Sequence, residues 1–322
     1  MRTYVLRRLL QTIPLLFGIS LMTFLLLQLA PGDFLNQMAE NPGISAETIE
    51  AMRVRFGLDK PWYVQYGIYL RNVILYFDFG QSFARHQPVF DVLSDGFTNT
   101  LMLAGAAALV TWVLAIPLGV LAAVKQHSWI DRSLSFVAFI WLSIPEILAA
   151  LLLLMMAART GWFPVGGMRS LDYDDLDGIS QFFDILHHLA LPALVVGLIP
   201  LASRMRQMRG SLLDVLRLDY VTTARAKGLS ERTVIVKHAL RNALNPMITL
   251  FGYTLGALVS GSFIVEIIFS WPGLGRITLD AILTQDQYLV MGAVLMASLV
   301  LIVGNLIADL LLAVADPRIS YD

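Results

Sequence analysis

Six stretches of this 322-residue chain are long and apolar enough to cross a lipid bilayer, and no other feature constrains its fold as tightly. A spanning helix needs about 20 mostly apolar residues. Leu9–Gly32, Gly96–Val124, Ile185–Ser203, Asn242–Val265 and Gln287–Ala308 contain no Asp, Glu, Lys or Arg, and Ser133–Ala158 contains one, Glu146. Hydrocarbon offers the backbone no water, so each span must satisfy its own N–H and C=O groups as a helix. The sequence therefore predicts an all-α membrane protein with six transmembrane helices, at about 9–30, 98–124, 133–157, 185–206, 242–265 and 287–312. Only 15% of residues are charged, 57% are hydrophobic and the mean hydropathy is +0.68. That excludes an ordinary soluble domain, which carries about 25% charged residues, and a disordered chain.

The Lys and Arg residues orient the spans. Fifteen of the 23 fall before span 1, between spans 2 and 3, between spans 4 and 5, or after span 6. The other eight are spread over the longer alternate segments. By the positive-inside bias both termini are expected to face the cytoplasm. The first apolar run is too long for a signal-peptide core, and Pro31 directly after Ala30 disfavours cleavage there, so it reads as a retained anchor. The net charge of −1 gives no global attraction to nucleic acid. The absence of Cys excludes disulfides, iron–sulfur clusters and thiolate zinc sites.

Three outside segments follow. The first, residues 33–95, is extracytoplasmic by this topology. It places Trp62, Tyr66 and Tyr69 on one helix face, readable as an interfacial aromatic belt or as a docking surface. The second, residues 159–184, has an acidic run of Asp172, Asp174, Asp175 and Asp177 that lacks the Gly and distal Glu of a calcium loop, so it reads as solvated. In the third, Glu266–Arg276, Pro272, Gly273 and Gly275 break helicity at the membrane surface and, with Glu266 and Trp271, make a candidate lid or docking finger, or a plain tight turn. His187 and His188 have no converging ligands, and no metal site is expected.

The longest inner segment, residues 204–241, carries the most information. Asp219 is placed as an N-cap, the helix runs Tyr220–Lys227, and Gly228 takes the left-handed position after its end. Arg225 and Lys227 sit in the last turn, where the helix dipole favours cations. Ser230 caps a second helix that climbs into span 5 through Val234, His238 and Leu240. A short, doubly capped helix held between two spans suits docking in a groove of a soluble partner.

The run Asp219-Tyr220-Val221-Thr222-Thr223-Ala224-Arg225-Ala226-Lys227-Gly228-Leu229-Ser230, with Lys237-His238-Ala239-Leu240-Arg241-Asn242 after it, resembles the coupling segment of ABC-importer permeases. Where the general signature opens with Glu-Ala-Ala this chain has Thr222-Thr223-Ala224, and Pro246 falls later than the signature proline; both resemble the dipeptide/oligopeptide/nickel branch. Leu29-Ala30-Pro31-Gly32-Asp33, Asp78-Phe79-Gly80-Gln81-Ser82, Phe269-Ser270-Trp271-Pro272-Gly273-Leu274-Gly275 and Ala315-Asp316-Pro317-Arg318-Ile319 resemble the same branch, and the long segment after span 1 resembles its first permease subunit.

The resemblance implies a single type I permease domain over residues 1–322 in a bacterial inner membrane, with Thr222–Leu229 as the ATPase-coupling element. It implies a second homologous permease, two cytoplasmic ABC ATPases that bind ATP and Mg, and an extracytoplasmic binding protein. Selectivity is then mostly delegated to that binding protein. The cargo would be di- or oligopeptides, with nickel, glutathione or an oligosaccharide as alternatives.

The chain has no G-x-x-x-x-G-K-[ST] loop and no G-x-S-x-G or H-E-x-x-H motif, so no ATPase or hydrolase chemistry is expected in it and no cofactor of its own. Glu146, Asn305 and Asp309 are the translocation-path candidates, since ionisable or polar groups within spans are costly. Glu146 alternatively satisfies backbone groups near Pro145, and Asp309 pairs with a loop Arg. A stand-alone secondary transporter is the competing class. It would more often show repeats with broken helices, and neither is legible here.

Overall fold

The computed structural model describes residues 2–30, 32, 34–39, 45–55, 57–248, 250–251 and 262–315. These residues are helical apart from turns, loops and one isolated bridge between Gln81 and Pro88. Helices α1 (Arg2–Leu29), α5 (Val89–Val124), α8 (Gly178–Leu216) and Gln287–Ala315 are each long and apolar enough to cross a membrane. Between α1 and α5 lie α2 (Phe34–Ala39), α3 (Ala46–Arg55) and α4 (Trp62–Tyr76).

The predicted third span is not one helix. It consists of α6 (Trp129–Ser143) and α7 (Glu146–Thr160), which meet at 102°. Pro145 causes the break. A residue before proline is pushed out of the helical region, and Ile144 accordingly sits at φ −85°, ψ 123°. A broken helix is thus present where the sequence reading found none. Counted as one span, the pair brings the described spans to five; residues 249 and 252–261 of the predicted fifth span, 242–265, lie outside the described residues. Helix α8 also overruns its predicted end at residue 206: at 39 residues it is about 58 Å long, nearly twice the ~30 Å hydrocarbon core.

The chain forms two compact units. One comprises Met1–Thr100 with Pro272–Ile302. Its core sets Val89 and Leu93 against Ile277, Leu289 and Ala293. A second cluster gathers Phe24, Tyr66, Tyr69 and Met291. The aromatic face of α4 is therefore mainly packing surface, not a belt or a docking surface. Tyr66 shares a 2.8 Å hydrogen bond with Ser20 and Tyr69 stacks on Tyr288 at 6.2 Å, so that of these three aromatics Trp62 alone is exposed.

The other unit comprises Leu101–Trp271 with Val303–Asp322. Small residues bring its helices together. A Cβ on Gly197 would stand 2.7 Å from the Ala107 carbonyl, and one on Gly119 would stand 2.7 Å from the Met205 carbonyl. Thr111 of α5 donates to the Gly197 carbonyl of α8 at 2.7 Å. Such close approach lets helices associate by dispersion and hydrogen bonding where no hydrophobic driving force exists.

Candidate functional site

The segment that follows α8 forms a short, lever-shaped helical arm. Helix α9 spans Asp219–Ala226, one residue off the predicted Tyr220–Lys227. Leu218, not Asp219, holds the extended N-cap position, and Asp219 sits in the first helical turn, where the helix dipole favours its carboxylate. Lys227 closes the helix and Gly228 follows at φ +76°, the left-handed conformation glycine adopts without a Cβ penalty. Ser230 caps the next turn, accepting from the Thr233 N–H, as its position predicts.

Burial gives α9 two faces. Val221 and Ala224, at i and i+3, are buried in the core with Met208, Leu212, Val234 and Ala239. Thr222, Thr223, Arg225, Ala226, Lys227, Gly228 and Leu229 are exposed. Arg225 grips Glu231 with Nε at 3.1 Å and a terminal nitrogen at 2.6 Å, closing the turn around Gly228. These hydrogen bonds hold the Glu231 carboxyl below the usual range. Tyr220 accepts from Asn242 at 2.7 Å and donates to the His238 carbonyl at 3.5 Å. Val234–Ala239, predicted as plain helix, is a π-helix, a wide turn that often marks functional sites. Helix α9 is thus tied at both ends, through Tyr220 at its start and Arg225 in its last turn.

Glu146 begins α7 at the 102° break, half-buried. Asn305 and Asp309 belong to the last helix, but their side chains lie outside the described ones. Glu266 is fully buried, accepts from Ser262 at 2.8 Å, and its carbonyl accepts the Trp271 N–H at 2.8 Å. Trp271 is buried among Leu103, Leu189 and Ala193. Pro272 accepts from Asn99 at 2.9 Å, Gly273 is the N-cap of the Leu274–Leu283 helix, and Gly275 is buried in its first turn. The ring nitrogens of His187 and His188 meet the Trp162 and Asp184 carbonyls, each at 2.8 Å.

Two carboxylates escaped the sequence reading. Asp131 binds Arg209 through two 2.8 Å hydrogen bonds, and the buried Asp286 accepts from Ser82 at 2.6 Å and from the Ala84 N–H at 3.0 Å. Their partners lie 78 and 204 positions away, so no local spacing signals them.

A helical fold with a short capped arm and a broken apolar helix is compatible with a membrane subunit of a transport system. The chain belongs to the family of binding-protein-dependent transport system inner membrane components, which its residues 115–321 match; residues 1–104 match the N-terminal component of the same systems. It is a multi-pass inner membrane protein. Along its whole length it is 41% identical to the whole of the oligopeptide transport system permease protein AppB of Bacillus subtilis (strain 168). It is 38% identical to the di/tripeptide transport system permease protein DppB of Pseudomonas aeruginosa (strain UCBPP-PA14), over 100% of this chain and 99% of that one. The fold is shared with an inward-facing crystal structure of the MetNI methionine ABC transporter, at a TM-score of 0.51 and 20% identity over 69% of this chain and 97% of that one.

Proposed function

We propose that the chain is the first permease subunit of an ATP-driven peptide importer, a single transmembrane domain of six spans with both termini in the cytoplasm. Relatives named as oligopeptide and di/tripeptide permeases support peptides as cargo over nickel, glutathione or an oligosaccharide. The observation that carries the mechanism is the two-faced lever. Val221 and Ala224 key α9 into the bundle, and Thr222–Leu229 offers an exposed surface to a soluble motor.

In this reading two cytoplasmic ABC ATPases hold ATP and Mg, a second homologous permease completes the path, and an extracytoplasmic binding protein delivers the peptide. Closure of the ATPases pushes α9, and its ties through Tyr220 and the π-helix transmit the motion to the bundle. The path then opens outward to receive peptide, and hydrolysis resets it inward. Glu146 faces that path at the helix break and meets the peptide ammonium; the buried Glu266 and Trp271 anchor the outer loop that runs on through Pro272–Gly275.

The test is the reconstituted complex. Arg225→Gln and Gly228→Ala are expected to cut both binding-protein-stimulated ATPase and peptide uptake severalfold while all subunits still copurify. Unchanged stimulation and uptake in both variants would remove α9 as the coupling element. The competing class is separated by the chain alone in liposomes: uphill peptide transport without ATPases would make it a secondary transporter.

A further inference from the structure

A polar cleft of about 290 Å³ opens beside the Pro272–Gly273 turn, within the unit formed by Met1–Thr100 and Pro272–Ile302. Buried contacts hold its floor. Gly96 lies against Ile277 with no room for a Cβ, Asn99 donates to the Pro272 carbonyl, and Thr100 accepts the Leu274 N–H at 2.8 Å. Its rim is the Gln81–Pro88 turn, which carries Arg85 and Gln87. The Asp286 carboxylate pins that turn through Ser82 and Ala84, and is itself fixed by the Leu289 N–H at 3.1 Å.

Four charged side chains line the cleft: Arg85, Asp95, Arg276 and Asp280. Arg85 and Asp280 form an exposed pair at 3.5 Å, a kind worth little in water and easily exchanged. Arg276 is partly buried and has no ion-pair partner among the described residues. A guanidinium drawn partly out of water without a carboxylate leaves donors to be satisfied. The volume sits at the lower bound of small-molecule pockets, about 300 Å³, and suits the single side-chain anchor of a protein interface. Asp95 on the exposed rim disfavours a plain polyanion.

We propose that this cleft receives an acidic side chain from a projecting loop of the extracytoplasmic binding protein, with Arg276 as its anchor and Arg85 as a second donor. The proposal rests on the transport reading above and on the sidedness set by the Lys and Arg distribution. It adds the place where the partner is gripped and the charge it must present.

The test uses the assembled complex in lipid nanodiscs, with ATPase rate followed as peptide-loaded binding protein is titrated in. Arg276→Gln is expected to raise the half-saturating concentration of binding protein about tenfold, the scale of one charge-assisted hydrogen bond. It should also flatten the dependence on salt, with the rate recovered at saturation. Gln87→Glu, exposed on the rim, is expected to weaken docking in the same direction without touching the packing. Arg71→Gln, on α4 outside the cleft, serves as the neutral control. Wild-type half-saturation and salt dependence in both cleft variants would overturn the proposal. A shift confined to the peptide concentration dependence would overturn it too, making the cleft a solute subsite. A wild-type complex that its binding protein fails to stimulate would defeat the transport reading first, and this proposal with it.

Discussion

Arg209 Nε and one of its terminal nitrogens each lie 2.8 Å from a carboxylate oxygen of Asp131, so a fork-to-fork pair joins the end of α8 to the first turn of α6. The carboxylate is nearly buried and also accepts the His127 N–H at 3.0 Å. The planar guanidinium matches a carboxylate in a way that lysine does not, so this contact fixes orientation as well as distance.

Removing one partner strands the other. Asp131→Ala and Arg209→Ala are each expected to lower the thermal unfolding midpoint, and the double variant should cost less than their sum. A coupling of about 1.5–3 kcal/mol is expected for hydrogen bonds between charged groups. Additive midpoints in one detergent would show that the pair contributes no joint stability. Arg209→Lys should recover only part of the loss.

Helix packing makes a second contrast. Gly119 has the Met205 carbonyl and Met208 Cβ at 2.7 Å from any added Cβ, whereas Gly210 has nothing within 4 Å. Gly119→Ala is expected to destabilise by about 1–3 kcal/mol through overpacking. Gly210→Ala, on the stretch of α8 beyond the predicted span, should be neutral or gain up to about 1 kcal/mol from helix propensity. Paired unfolding measurements decide it, and equal effects would mean that the approach of α5 to α8 relaxes at no cost.

Glu146 stands at the N-terminus of α7, at the 102° break of an otherwise apolar helix pair. If it meets a peptide ammonium, Glu146→Gln should lower uptake of peptides with free amino termini about tenfold, the loss of one charged contact. Uptake of N-acetylated peptides should change little. Equal uptake of both classes by variant and wild type would remove Glu146 from the path.

Acid should loosen the turn around Gly228. Arg225 holds the Glu231 carboxyl below its ordinary value, so the folded state binds a proton less readily than the unfolded one. The pair's contribution is therefore full above the unfolded value, about 4.3, and is lost as pH falls through the depressed folded value. A carboxyl-carbon NMR titration of Glu231 should show the low midpoint in wild type and its return to the ordinary range in Arg225→Gln. Coupling between pH 6 and 8 should not depend on this proton.

Much of this architecture is legible in the chain itself. Apolar length alone announces α1, α5, α8 and the last helix, because hydrocarbon admits only segments that close their own hydrogen bonds. Gly228 and Ser230 mark the lever's turn, because left-handed backbone and orphan N–H groups have local chemical solutions. The break at Pro145 was also written locally, but an apolar run on both sides of the proline masked it.

The fold alone settled the rest. Tyr66 and Tyr69 became core because α1 and the last helix lie against α4. Asp131 found Arg209, and Asp286 found Ser82, across separations at which sequence carries no pairing signal. Whether an ionisable side chain becomes a clamp, a cleft wall or a path residue depends on what the fold brings within about 3 Å of it, and only three-dimensional packing sets that.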